Sequence, residues 1–171
     1  MPIYEVWHSY PLTEAQQADL AQRITAIHST LFTVPTSLIH VHFTDYTATE
    51  HFMGGKRLTG TVNMVITHTR AGPLRPQDQW ESLCLQMEMA WNACVGEPAT
   101  QGALHAQFTG AFIRGVQTAS YEHGFLYPQV GGDGASIRDN VAKCQVLADG
   151  RDMIFQNMLA EVRGREESVC A

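Results

Sequence analysis

Proline at position two is the residue of this chain with the most distinctive chemistry. It donates no ladder hydrogen bond, so ahead of a strand it suits only a strand start or an edge. A small residue in that position lets the initiator methionine be removed. Removal of Met1 exposes Pro2 as a free secondary amine. Buried near cations, such an amine loses basicity until it can shuttle protons at working pH. The plainer alternative is a proline that merely opens the first strand. Three other side chains have useful types. Arg70 carries a guanidinium, which grips a carboxylate with two parallel hydrogen bonds where lysine cannot. Glu122 takes a proton from water if burial raises its basicity. His28 belongs to the residue type that titrates near neutrality and serves as acid or base. Taken singly, each has a plain reading: a surface histidine, a solvated cation, an ordinary loop acid.

The elements that must position these residues read as two similar halves. Residues Ile3 to His8 form a strand, and Thr13 with Gln16 makes a capping box for a helix. Leu20, Ile24, Ile27 and Leu31 give that helix its apolar face, and Pro35 marks its end. Leu38 to Asp45 alternates strictly, with Ile39, Val41 and Phe43 on one side and His40, His42 and Thr44 on the other. A helical crossover of this length makes the two strands parallel. Phe52 to Lys56 reads as a short strand or turn around Gly54 and Gly55. The second half repeats the pattern. Val62 to Thr69 is a strand, Pro76 opens a helix carrying Trp80, Leu83, Met87 and Trp91, Gly96 stops it, and Ala103 to Phe112 is the returning strand.

The expected fold is therefore α/β: two tandem β-α-β repeats, about 2–60 and 61–128, forming a four-stranded sheet with two helices on one face. Tyr121 to Pro128 is an aromatic-anchored loop. Residues 129–171 form a C-terminal extension with helices at Ile137–Leu147 and Met153–Val162, fraying after Arg163.

Composition narrows the functional classes. At 171 residues and 44% apolar, the chain suits one domain or two small repeats around one core. A net charge of −6 argues against nucleic acid or an anionic membrane as the main partner. No apolar run approaches a membrane span, and the amino-terminal residues lack the pattern of a signal peptide. The four cysteines show no C-x-x-C spacing, so they read as reduced thiols in a cytoplasmic setting. His40 and His42, with His68 or His105, fall short of a zinc set because no partner carboxylate stands at telling spacing, so no metal is expected. Trp80 and Trp91 fit a buried helix face, and Gly131 to Gly134 is not a phosphate loop.

Several pieces in order resemble the tautomerase superfamily, in the branch of cis-3-chloroacrylic acid dehalogenase and its fungal relatives. They are the Pro2 start, Leu12-Thr13, Ile24-Thr25 with His28, Phe52-Met53-Gly54-Gly55, Arg70-Ala71-Gly72, and Tyr121 to Leu126. The resemblance runs from Pro2 to about Pro128. It implies a cofactor-free enzyme, a homotrimer, and a small-molecule substrate. It assigns Pro2 as the catalytic amine, Arg70 as the holder of the substrate carboxylate, and His28 and Glu122 as groups that orient or activate water. Two departures stand out. The relatives have a second arginine three residues after the first, where this chain has Pro73; Arg75 is close but displaced. They also carry a tyrosine on the last strand, for which Gln107 is the stand-in here. Both weaken dehalogenation and leave proline chemistry intact. The expected reaction is tautomerisation of a small enolic or unsaturated carboxylate or ketone, or hydration of a conjugated double bond. The alternatives are a cis-3-haloacrylate-type hydrolytic dehalogenase, a ferredoxin-like cyclase that uses histidine, and a non-catalytic binding protein.

Overall fold

The computed structural model describes residues 2–58, 62–69, 75–96, 106–115, 121–122, 125–126, 140–149 and 153–169. Its centre is a four-stranded sheet in the order β2-β1-β5-β6. Strand β1 (Ile3–His8) pairs in parallel with β2 (His40–Asp45), and antiparallel with β5 (Asn63–His68). Strand β6 (Gly110–Arg114) runs parallel to β5. Each half is thus the expected β-α-β unit, and the two meet antiparallel at β1 and β5. Pro2 stands one residue ahead of the ladder. It has no N–H to give, but its carbonyl accepts from the His40 amide at 3.1 Å.

Helix α1 (Glu14–Phe32) begins at the capping box: Thr13 accepts from the Gln16 amide, and the Gln16 side chain accepts from the Thr13 amide at 3.0 Å. It stops at Thr33, whose φ of 55° breaks the helix two residues before Pro35. A 3-10 turn, Thr36–Leu38, then leads into β2. Helix α2 (Gln77–Val95) starts after Pro76 and ends at Gly96, where φ is 91°. Between the two units, β3 (His51–Met53) and β4 (Lys56–Leu58) form a hairpin. Its loop is Gly54-Gly55 with φ of 59° and 76°, the pair of positive angles that a tight hairpin needs.

Both helices lie on the sheet face that carries Tyr4, Val6 and Val65. Helix α1 turns Leu20, Ile24, His28 and Phe32 inward, a row spaced by four; Ile27 and Leu31 are only partly buried. The expected face was therefore shifted by about one position, because the i±4 row is the one that meets the sheet. Helix α2 buries Leu83, Met87, Ala90 and Trp91, and the Trp91 indole donates to the Ala106 carbonyl at 2.8 Å. That bond holds Ala106 in a short turn, so the returning strand begins at Gly110 and not at Ala103. Residues 97–105 lie outside the described residues.

One buried amide ties the end of the sheet remote from Pro2. Asn63, fully buried, accepts from the Ser9 and Tyr10 amides at 3.2 and 3.0 Å and donates to the Gln107 carbonyl at 2.9 Å. The opposite sheet face carries Ile3, Glu5, Trp7, His40, His42, Met64, His68 and Phe112, alternating with the core residues along each strand. There His68 Nε2 stands 3.0 Å from Glu5 Oε1, and Trp7 stacks on Tyr46.

The C-terminal segment forms α3 (Val141–Asp149) and α4 (Met153–Val169). The second helix continues through Arg163 to Val169, past the expected fraying point. Cys144, Ala148, Phe155, Met158 and Leu159 join the same apolar core as Phe32, Val34 and Leu38. Glu161 accepts from the Thr36 amide at 2.9 Å and from the Thr36 hydroxyl at 2.8 Å, which caps the 3-10 turn. Among the described residues no helix is long and apolar enough to cross a membrane.

Candidate active site

At the Pro2 end of the sheet, β1 and α1 bring an unusual pair together. The Tyr4 hydroxyl lies 2.5 Å from His28 Nδ1, with both residues almost fully buried. Burial pushes the Tyr4 phenol well above its ordinary range, so it keeps its proton. A phenol that keeps its proton donates to one of its two neighbours, His28 Nδ1 or the Thr67 side chain; where it donates to His28 Nδ1, Thr67 is the donor to the phenol oxygen. With Nδ1 accepting, the His28 proton is assigned to Nε2.

His28 is neutral as well as buried. Desolvation depresses it most, the Arg75 charge adds to that, and the charge of the amino terminus adds further, bringing it down to about 3. At neutral pH it is thus neither an imidazolium acid nor a ready base. In the tautomer with Nδ1 accepting it offers an Nε2–H, which suits holding a carbonyl, a carboxylate or a water. The expectation of a histidine titrating near neutrality is corrected by this burial, and so is its plain reading as a surface residue.

Above His28 lies a short aromatic run. The Phe32 ring is 4.6 Å from the His28 ring, and the Trp80 ring is 4.8 Å from Phe32. The Arg75 guanidinium sits over Phe32 at 4.4 Å and 6.0 Å from Trp80. A cation placed on aromatic faces loses little rotamer freedom. The displaced arginine is therefore turned towards His28, where its charge is felt.

The other expected residues fall as follows. Pro2 is buried at the head of β1, two residues before Tyr4. Arg70 follows Thr69, whose amide extends the ladder to the Arg114 carbonyl at 3.0 Å; Arg70 itself lies outside the described residues. Glu122 is on β7 (Tyr121–Glu122), paired with β8 (Phe125–Leu126), and its side chain also lies outside the described residues. Gln107 is exposed and held by its carbonyl at the Asn63 end, so one chain does not bring it to Pro2. The residues that sequence reasoning did not single out are Tyr4, Thr67 and Phe32. Tyr4 had a signal: an inward tyrosine on a central strand needs a partner for its hydroxyl. Among the described residues, no three of His, Cys, Asp and Glu converge as a metal would require.

Comparison with known proteins agrees with this fold. The profile of a family described as putative oxalocrotonate tautomerase enzyme matches residues 1–132. Among solved structures, N1, a member of the cis-3-chloroacrylic acid dehalogenase family, superposes with a TM-score of 0.59 at 20% identity, over 82% of this chain and 96% of that one. A fused 4-OT wild-type asymmetric trimer gives 0.56 at 19% identity, over 72% and 94%. MIF2 of Leishmania major gives 0.52 at 13% identity, over 74% and 97%. No curated protein sequence matches the chain.

Proposed function

The chain belongs to the tautomerase family matched over residues 1–132, and from that membership we propose a cofactor-free enzyme that moves a proton on a small enolic or unsaturated carboxylate or ketone. Pro2, freed by removal of Met1, is the base that takes the proton from one position and returns it at another. Arg70 grips the substrate carboxylate in a fork. His28 donates its Nε2–H to the carbonyl or enolate oxygen, with no change of its own charge. Glu122 serves the second proton transfer or a water. The observation that carries this reading is the Tyr4–His28 pair: a buried imidazole with one nitrogen occupied and the other free to donate, beside the strand that starts at Pro2. A donor fixed in advance stabilises developing enolate charge without having to reorganise, which is the larger part of such catalysis.

A second reading, hydrolytic dehalogenation of a cis-3-haloacrylate, gains one specific support. The Arg75 guanidinium lies over Phe32 and its charge acts on His28, which favours a role for it as a second carboxylate clamp. Assays of a phenylenolpyruvate-type enol and of cis-3-chloroacrylate, run side by side for the wild type, Arg70→Ala and Arg75→Ala, separate the two. Enol turnover lost by a factor of about 10²–10³ in Arg70→Ala, with little chloride release by the wild type, supports the tautomerase. Efficient chloride release abolished in Arg75→Ala overturns it in favour of the dehalogenase.

The assembly proposed with this activity is a homotrimer. The sheet face opposite the helices carries Ile3, Trp7, Met64 and Phe112, and Phe112 is 53% exposed. The outer strands β2 and β6 leave two sheet edges to be covered. The fused 4-OT structure of the same fold is itself a trimer. Residues 1–128 are taken as the catalytic domain and 129–171 as an extension docked against it.

A further inference from the structure

We propose that Glu161 is a positioning residue for the Pro2 amine: through this carboxylate the C-terminal extension braces the turn that holds the head of β1. The inference rests on the proton-transfer reading above and gives the extension a part in it.

For a residue that must be aimed, Pro2 is lightly tied. Among the described residues its one backbone hydrogen bond is the one its carbonyl accepts from the His40 amide at 3.1 Å, just ahead of the register that starts at Ile3 and His40. Once Met1 is removed Pro2 is the chain end, and chain ends fray unless something holds them. The aim of the amine therefore follows the place of His40. His40 is set in turn by the 3-10 turn Thr36–Leu38, where the Leu38 amide donates to the Pro35 carbonyl and the Ile39 amide to the Thr36 carbonyl, both at 3.1 Å. Such short turns have poor hydrogen-bond geometry of their own, and their leading amides need a partner.

Glu161 supplies that partner from α4. One oxygen accepts from the Thr36 amide at 2.9 Å, and the other from the Thr36 hydroxyl at 2.8 Å, with the Ser37 amide at 3.4 Å. Bonds to a carboxylate are of the stronger, charge-assisted kind. Glu161 is thus linked to Pro2 through Thr36, Ile39 and His40. The entry to the same segment is held by α1, where the Ser29 hydroxyl donates to the Val34 carbonyl at 2.8 Å. Phe155, Met158 and Leu159 of α4 pack in one cluster with Phe32, Val34 and Leu38, and Phe32 is the ring against His28. Hydrophobic packing is non-directional, so it docks the helix without aiming a backbone amide; the carboxylate supplies the direction.

The test uses the full chain and reads place and rate separately. Amide exchange is followed by NMR at His40 and at Tyr46, whose amide donates to the His8 carbonyl at 2.8 Å at the far end of the same strand pair. Steady-state kinetics with an enol substrate run beside it, for the wild type, Glu161→Ala, Glu161→Gln, Thr36→Val and Arg163→Ala. Arg163 donates to Gln145 at 2.8 Å elsewhere in the extension and serves as the control. In Glu161→Ala, exchange at His40 should quicken by about tenfold relative to Tyr46. Its kcat should fall by about ten- to a hundredfold, the scale on which misplacement by about an ångström acts. KM should stay within about twofold, because the carboxylate holder is untouched. Thr36→Val takes a smaller step the same way, and Arg163→Ala takes none. An unchanged kcat in Glu161→Ala, or a loss confined to KM, overturns the proposal. So does equal quickening at His40 and Tyr46, which is a loss of stability alone, or an Arg163→Ala that matches Glu161→Ala. If Glu161→Ala does not fold, Glu161→Gln decides by the same criteria. The proton chemistry fails separately: a wild type without enol turnover removes the tautomerase reading, and the exchange contrast still decides whether Glu161 sets the place of His40.

Discussion

Lowering the pH from 7.5 to 5 removes a stabilising contribution that is specific to His28. In the folded chain burial and the Arg75 charge hold the imidazole down to about 3. In the unfolded chain it titrates near the ordinary value of about 6.5. Between these values the unfolded chain binds a proton that the folded chain refuses, so stability falls as pH falls through that window. At pH 5 the difference amounts to about 2 kcal/mol; at pH 7.5 it is close to zero. His28→Gln keeps an acceptor for the Tyr4 hydroxyl but has nothing to protonate. Urea unfolding at the two pH values, with equal protein concentration throughout, should show the wild type losing about 2 kcal/mol more than His28→Gln over the interval. Other acid-labile groups cancel in the comparison. Equal losses in the two proteins would refute the burial of a neutral imidazole, and with it the assignment of a fixed Nε2–H donor.

Two further predictions concern the frame and the assembly. Asn63→Ala leaves the Ser9 and Tyr10 amides and the Gln107 carbonyl without their buried partner, and should cost about 3 kcal/mol in denaturant unfolding with little change in the Pro2 end of the sheet. Light scattering at micromolar concentration should give the mass of a trimer, and a stable monomer would contradict the covering of the Phe112 face by neighbouring subunits.

What could be read from the sequence was local. The capping box at Thr13 and Gln16, the alternation of Ile39, Val41 and Phe43, and the Gly54-Gly55 turn each depend on neighbours a few residues away. The two β-α-β units followed from those elements and the handedness of crossovers. What could not be read depends on distant partners. His28 was separable from Ile27 only by knowing which helix row meets Tyr4. Its depressed basicity comes from burial and from Arg75, some forty-seven residues on. The start of β6 was misplaced because Ala103–Phe112 carries no boundary mark, whereas the Ala106 carbonyl is taken up by the distant Trp91 indole. Helix α4 outlasts its expected end at Val162, and Glu161 beside that point is anchored to Thr36, more than a hundred residues earlier.

The central claim is that the secondary amine of Pro2 does the proton transfer, and the most direct test joins two readings on one preparation. Intact mass is measured first, then kcat/KM for an enol substrate, for the wild type and Pro2→Ala. The account predicts a wild-type mass lacking Met1, and a loss of about 10²–10⁴ in Pro2→Ala, the usual worth of a positioned acid or base. Undiminished turnover in Pro2→Ala, or full activity in a protein that retains Met1, would contradict it.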